Sequence, residues 1–349
     1  MQILDNKILV IPTDEPQKIL NTIKRSAEYD DESVAVFWGL EESQALRELG
    51  FNVPSPINKN YDWPGVYPPM EHQRATAEFL TLHKRAFCFN EQGTGKTAAS
   101  IWAADYLLER GVINRVLVVC PLSIMQSAWQ ADLFKFAVHR HVNVAYGDRK
   151  KRKEIINSPA EFVIINYDGV AIVEEEIKAG GFDLVIIDEA NAYKNSRTER
   201  FKVMRRIVGS DTWLWMMTGT PAAQSPLDAY GLAKLCVPTR APHLYTAYRD
   251  AVMYQLTRFK WIPKPNSEVV VHNLLQPAIR FEKRECIDLP DVTHTYRHVP
   301  LSPQQMKFYK ALKKDMLVEA AGEEITAVNA AAQLNKLLQV SCEIGRAHV

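Results

Sequence analysis

Cysteine is sparse and never paired in sequence: Cys88, Cys120, Cys236, Cys286 and Cys342 are scattered along 349 residues without a C-x-x-C pair. That spacing speaks against a disulfide framework and a zinc site, and fits a reducing cytosol. Long apolar runs are missing too. None approaches the roughly 20 residues a helix needs to span a bilayer. Met1 to Thr13 mixes charges with short apolar runs and lacks a signal-peptide layout, so a soluble cytoplasmic protein is expected. Charge of one sign is absent, with Lys+Arg 42 against Asp+Glu 41 and a formal net charge of +1. No global basic field draws the chain to nucleic acid, so any such contact must come from local Lys and Arg. Repeats and low-complexity tracts are lacking. What is present is apolar content: hydrophobic residues make up 47%, enough for one large or two medium domains with real cores.

Residues 1–62 read as a small α/β extension. Lys7 to Ile11 is expected as a strand, Pro16 to Tyr29 as a helix and Ser33 to Trp38 as a second strand. A Pro-rich hinge, Trp63-Pro64 through Pro68-Pro69, marks a boundary. Residues 63–237 then alternate short apolar runs with helical stretches. The runs are Ala86–Phe89, Val116–Cys120, Phe162–Ile165, Leu184–Ile187 and Leu214–Met217. Unbroken apolar runs suit parallel strands covered on both faces, and helices between them imply right-handed crossovers in a doubly wound α/β sheet. Ligands in such sheets sit at the carboxyl ends of the strands. Residues 238–298 are aromatic, basic and helix-like, without a clear sheet pattern. Residues 299–349 begin with a helix that Ser302 can cap and Pro303 can start.

Asn90-Glu91-Gln92-Gly93-Thr94-Gly95-Lys96-Thr97 follows a strand and opens a helix, Thr97 to Arg110, that ends at Gly111. This is the context of a phosphate-binding loop. Glycines let backbone N–H groups converge on phosphate oxygens, and the helix N-terminus adds positive potential. Lys96 is expected to reach the β- and γ-phosphates of ATP, and Thr97 to ligate Mg²⁺ through its hydroxyl. Asn90 replaces the usual first Gly, a mild departure if that position is left-handed, because Asn tolerates such backbone. An ordinary Gly-rich turn is the plain alternative.

Leu184–Ile187 runs into Asp188-Glu189-Ala190-Asn191. Asp188 is expected to hold Mg²⁺, and Glu189 to orient and deprotonate an attacking water. A solvated strand end is the alternative, and the upstream loop tips the balance towards chemistry. Thr218-Gly219-Thr220-Pro221 closes the last strand, where hydroxyls and a tight turn can sense a γ-phosphate; by itself it reads as a common turn.

Together these residues resemble the Swi/Snf-type ATPases of helicase superfamily two. The resemblance runs from about Met70 to Gln305. Met70-Glu71-His72-Gln73 is similar to the family's glutamine motif, which implies that Gln73 reads the adenine edge; apart from the resemblance it reads nearly as well as a helix-surface Gln. Asn90 to Thr97 is similar to the family's acidic-start phosphate loop. Pro121-Leu122-Ser123, with Trp129 and Asp132, is similar to a motif whose loop faces DNA backbone, with Trp129 packing. Tyr146 to Arg152 resembles a recurrent basic segment and reads as a solvated helix start in preference to a direct DNA contact. Asp188 to Asn191 stands where the family has Asp-Glu-Ala-His or Asp-Glu-Gly-His, so coupling to Thr218, Gly219 and Thr220 would fall to Asn191 in place of a His. Lys194-Asn195 matches the Lys-Asn pair that follows, implying nucleic-acid contacts for Pro121, Ser123, Lys194 and Asn195. Arg280, Lys283 and Leu289-Pro290 resemble the Arg-x-x-Lys element before a second lobe. Implied are a RecA-like ATP-binding lobe, ATP and Mg²⁺ as cofactors, double-stranded DNA as partner, and a phage or bacterial setting.

Such motors need a second RecA-like lobe carrying an arginine finger, typically worth about 10³–10⁵ in rate. After Gln305 the chain reads as helical, Met306 to Leu338, with no Gly-Arg-x-x-Arg segment. The tail Glu343–Val349 is what GAG ATC GGA AGA GCA CAC GTC encodes, which resembles a sequencing adapter. A natural chain that continues further is therefore expected, and weak ATP binding and poor hydrolysis by the chain as given. Translocation along duplex DNA is the leading reading. A strand-separating RNA or DNA helicase, or a non-hydrolysing ATP-binding scaffold, are the alternatives.

Overall fold

In the computed structural model the described residues are 1–222, 224–258, 260–286, 295, 299–322 and 334–338. They fall into two compact units, Met1–Leu289 and Pro290–Val349.

The first unit opens with an antiparallel sheet of β1 (Gln2–Leu4), β2 (Ile8–Pro12), β3 (Ser26–Asp30) and β4 (Ser33–Phe37), ordered β1-β2-β4-β3. Leu9, Ile11, Val34 and Val36 point to one face and bury against Ile19, Ile23 and Leu46. The expected helix from Pro16 to Tyr29 is shorter: it ends at Thr22, and Ser26–Asp30 is a strand. The turn decides this. Asp30 Oδ1 accepts from Glu32 N–H at 3.0 Å and Ser33 Oγ at 2.5 Å, closing a hairpin onto β4. Beyond Ile23 the sequence offers no apolar stripe for a helix to bury. The Pro-rich stretch is clamped rather than free. Pro64 C=O accepts from Trp102 Nε1 at 2.7 Å, and Val66 N–H donates to Lys135 C=O at 3.1 Å.

The second sheet has seven parallel strands. In chain order they are β5 (Arg85–Cys88), β6 (Val116–Cys120), β7 (Val142–Ala145), β8 (Phe162–Asn166), β9 (Leu184–Ile187), β10 (Trp213–Met217) and, after the two-stranded hairpin β11 (Met253–Gln255) and β12 (Trp261–Pro263), β13 (Ala278–Ile279). Their spatial order is β13-β5-β10-β9-β6-β8-β7. Side chains alternate between two cores: Leu214 and Met216 enter one, Trp213, Trp215 and Met217 the other. Burial on both faces explains why these strands are continuously apolar. Helix Lys96–Glu109 packs so deeply that it is buried nearly all round, Trp102 and Tyr106 included.

Two strands of this seven-stranded sheet were not expected. In β7, Val-Asn-Val-Ala is an edge strand whose first three residues are only half-buried, so it lacks the unbroken apolar signal. β13 is two residues long and is defined by backbone pairing to β5. The 238–298 region is helical at Tyr245–Val252 and Ser267–Leu274, as expected, and in addition contributes β13 to the main sheet and forms a hairpin, which was not expected.

In the second unit, helix Pro303–Gly322 starts as expected. Ser302 Oγ accepts from Gln305 N–H at 3.3 Å, and Gln305 Oε1 accepts from Ser302 N–H at 2.8 Å, a reciprocal cap. Residues 334–338 are helical. Leu289-Pro290 and the tail Glu343–Val349 lie outside the described residues.

Candidate active site

Because all seven strands are parallel, their carboxyl ends share one edge of the sheet. β5 and β9 both flank β10. The loop after β5, the acidic pair after β9 and the Thr218–Pro221 turn between them are therefore neighbours by topology. Thr218 N–H donates to Cys88 C=O at 3.0 Å, and Gly219 lies against the backbone of Asn90, Glu91 and Gln92.

The loop is held from below. Gly95 adopts φ +77° as the N-cap of helix Lys96–Glu109. Gln73 Nε2 occupies the space a Cβ would need there, only 2.1 Å from the ideal position. The left-handed backbone favours glycine at 95, and any larger residue would also displace Gln73 from this position. Gln73 Nε2 donates to Thr94 C=O at 3.2 Å, while its Oε1 accepts from Met70 N–H at 3.0 Å. Buried His72 reaches the same Thr94 C=O with Nε2 at 2.7 Å. Gln73 therefore braces the loop, and His72, which sequence reasoning passed over, braces it further. A His adjacent to the Gln on a helix packed beneath a Gly-rich loop was the available signal.

Asn90 departs from the expectation of a left-handed residue: it is absent from the positive-φ positions. Its side chain works instead. Nδ2 donates to Thr76 Oγ1 at 2.8 Å, and Oδ1 accepts from Phe281 N–H at 3.0 Å. The residue is buried and ties helix Glu71–Leu82 to the segment after β13.

Asp188 is 5% exposed. Its Oδ2 accepts from the indole N–H of Trp129 at 3.0 Å and its Oδ1 from Glu189 N–H at 2.9 Å. Burial pushes the carboxyl above its ordinary range; the Trp129 bond, the Lys96 charge and the Glu189 N–H pull it back. Trp129 is delivered by a π-helical turn, Met125–Gln130, after the Pro121-Leu122-Ser123 loop. It packs as expected and, beyond that, orients the carboxylate. Glu189 has φ 48° and ψ 54°, a strained conformation for a non-glycine residue. Tyr167 Oη fixes it, donating towards Asp188 C=O at 2.5 Å and Glu189 C=O at 3.2 Å. Gln92 Nε2 meets Glu189 Oε1 at 3.4 Å, linking the two loops.

Asn191 covers the place of the expected His. Its Nδ2 approaches Thr218 Oγ1 at 3.1 Å, Thr220 C=O at 2.7 Å and Thr220 Oγ1 at 3.4 Å. A physical link between the acidic segment and the Thr-Gly-Thr turn is thus retained. Lys194 pairs with Asp228 at 3.3 Å and bonds Gln224 at 2.6 Å. Its backbone runs so close to helix Ala229–Cys236 that a Cβ on Gly231 would lie 2.2 Å from Lys194 C=O. Asn195 Oδ1 accepts from Arg197 N–H at 3.0 Å.

The residues expected at nucleic acid do not share one depression. Ser123 lines a hollow of about 310 Å³ with Leu122 and Tyr146, while Lys194 and Asn195 line another of about 370 Å³ with Arg197 and Tyr245. In the basic segment, Asp148 caps helix Arg149–Ile156, and Arg152 is buried, bonding Ala145 C=O, Gly147 C=O and Asn166 Oδ1. That is the helix-start reading. Arg280 lies 3.9 Å from Glu91, and Lys283 N–H donates to Glu91 Oε2 at 2.9 Å.

Comparison with known proteins identifies the family and the fold. The SNF2-related domain profile matches residues 29–343, so the chain belongs to the SNF2-related family. It is 25% identical over 294 residues to protein p41 of Acyrthosiphon pisum secondary endosymbiont phage 1, covering 79% of this chain and 64% of that protein. It is 24% identical over 271 residues to the ISWI chromatin-remodeling complex ATPase ISW2 of Saccharomyces cerevisiae, covering 72% of this chain and 22% of that one. The chain therefore spans under two thirds of the phage relative and about a fifth of the yeast ATPase. The SWI2/SNF2 ATPase core of Sulfolobus solfataricus in complex with dsDNA has the same fold, with a TM-score of 0.55 at 21% identity, covering 80% of this chain and 59% of that chain. The fold is accordingly the RecA-like α/β fold of such cores. Among the described residues no helix is long and apolar enough to cross a membrane.

Proposed function

We propose that this chain is the ATP-binding part of a motor that hydrolyses ATP to move along double-stranded DNA. The observation that supports it most is the meeting of two loops across β10. Lys96 acts electrostatically on Asp188, and Gln92 touches Glu189. Backbone N–H groups of Gly93 to Thr97, with Lys96, would cradle the phosphates. Gln73 would read adenine in addition to bracing Thr94. Thr97 hydroxyl and Asp188 carboxylate are hard oxygen donors, a set that fits Mg²⁺ carried largely by phosphates and water. When bound, the ion would neutralise phosphate charge. Glu189, held in its strained conformation by Tyr167, would take the proton of the attacking water. Asn191 would pass a change at Glu189 to Thr218 and Thr220. Pro121, Ser123, Lys194 and Asn195 would meet DNA phosphates, without reading sequence; Lys194 would exchange Asp228 for a phosphate. The Sulfolobus core was solved in complex with dsDNA, which supports duplex DNA as partner. A cytoplasmic setting in a bacterial or phage-infected cell accords with the phage relative. Efficient turnover is assigned to a form that also carries a second lobe. Residues 1–62 we assign as an extension, 63–237 as the ATP-binding lobe, 238–298 as the connection and 299–349 as the start of the second lobe.

The test is binding of a fluorescent ATP analogue with Mg²⁺, with and without duplex DNA. Saturable binding by the parent chain, abolished in Lys96→Ala and tightened by duplex, is expected; coupling of this kind is reciprocal. Normal affinity in Lys96→Ala would refute the loop assignment. In a two-lobe form, displacement of a triplex strand without unwinding of a forked duplex separates translocation from strand separation. Turnover indifferent to duplex would remove the motor reading.

A further inference from the structure

The edge of the sheet beside the phosphate loop is closed by a strap, and the strap carries a cation. β13 pairs with β5 through Ala278–Phe87 and Ile279–Cys88. The pairing continues past both strands. Phe89 N–H donates to Ile279 C=O at 2.8 Å, Glu91 N–H to Phe281 C=O at 3.0 Å, and Phe281 N–H to the Asn90 side chain at 3.0 Å. At its end Lys283 N–H donates to Glu91 Oε2 at 2.9 Å. The strap is thus zipped along the first residues of the loop.

Lys283 then extends over Gly93. A Cβ built on Gly93 would lie 3.4 Å from Lys283 Cε and 3.6 Å from its Nζ. The neighbouring cations are neutralised: Arg280 by Glu91 and Glu282, and Arg284 by Glu282. Among the described residues no carboxylate pairs with the Lys283 ammonium. An unpaired ammonium held at the rim of a glycine turn that offers backbone donors is a second positive group for the same anion. Its four-carbon stem leaves it free to swing onto an oxygen.

We propose that Lys283 binds the phosphate chain of the nucleotide from the strap side, as a positioning cation distinct from Lys96. This rests on the reading of Gly93–Thr97 as the phosphate site. Because the strap is zipped to β5 by backbone bonds, its ammonium reaches the nucleotide only while that pairing holds. Nucleotide affinity thereby reports whether the connection that follows the first lobe is docked.

Fluorescent ATP, ADP and AMP analogues distinguish this from a structural role. The parent chain is compared with Lys283→Ala and Lys283→Arg, alongside Lys96→Ala. Lys283→Ala is expected to weaken ATP about tenfold, the size of one charge-assisted hydrogen bond, ADP less and AMP not at all. Lys283→Arg restores most of the ATP affinity, and the melting temperature is unchanged in both. Equal losses for all three nucleotides, or undiminished ATP affinity in Lys283→Ala while Lys96→Ala fails to bind, would overturn the assignment of Lys283 and leave the site itself standing. A parent chain that binds none of the three overturns the site reading, and the assignment of Lys283 with it.

Discussion

Restoring the usual glycine at position 90 should harm this protein. Asn90→Gly deletes Nδ2 to Thr76 Oγ1 at 2.8 Å and Oδ1 from Phe281 N–H at 3.0 Å. Each such bond contributes about 1 kcal/mol net, and the unpaired Phe281 N–H adds a desolvation cost of about 1–3 kcal/mol. Extra backbone freedom in the unfolded chain adds about 0.5–1 kcal/mol. The expected loss is therefore about 3.5–6 kcal/mol, a large part of a typical domain's stability. Urea unfolding followed by tryptophan fluorescence reads it directly, since Trp102, Trp129 and Trp215 are fully buried. Asn90→Asp, which keeps the acceptor for Phe281 and loses the donor to Thr76, should fall between parent and glycine variant. If Asn90→Gly were as stable as the parent, the side chain would not be what holds the strap, and the left-handed interpretation of position 90 would regain its place.

Glu189→Gln should keep nucleotide affinity within about twofold and abolish turnover in a two-lobe form, by the logic of a lost general base; retained hydrolysis would remove Glu189 from that role. Trp129→Phe removes the indole donor to Asp188 and should cost about 2–4 kcal/mol, combining a bond to a charged group with lost packing. In a double-mutant cycle with Asp188→Ala, an undiminished cost would show that the bond contributes nothing. The Arg206 guanidinium, with Lys178, holds the Glu174 carboxyl down to about 2. Its stabilisation is fully present above the usual glutamate range and is lost as pH falls from about 4.5 towards 2. Glu174→Gln should flatten that part of an acid-unfolding profile, and an unaltered profile would count against the pair.

The elements legible in the sequence are those whose burial is two-sided. Apart from Arg85 and Asn166 at their ends, β5, β6, β8, β9 and β10 are apolar throughout, because both of their faces are covered. The loop and the acidic pair were legible for a related reason: each follows such a strand, at the edge where ligands collect. What escaped was held by backbone or by single polar contacts. β13 has two residues and joins the sheet through main-chain bonds that any sequence could make. The strand Ser26–Asp30 was hidden by a helix-like run whose outcome was settled by the Asp30–Ser33 turn. His72, Tyr167 and the bond between Trp129 and Asp188 depend on which distant residue lies opposite, and periodicity holds no information about that.

The hydrogen bond between Phe281 and Asn90 joins residues 191 apart in sequence. During synthesis the ribosome completes the loop at residues 90–97 long before it delivers the segment that clasps it. Until then β5 has an open flank facing the nascent chain's surroundings, and such flanks invite pairing with other polypeptides. Contacts of this separation also close late, after the loop entropy between them has been overcome. Release of a chain ending shortly before residue 277 should therefore yield a protein with its sheet largely built yet prone to sticking to itself, and nine or ten further residues should cure it.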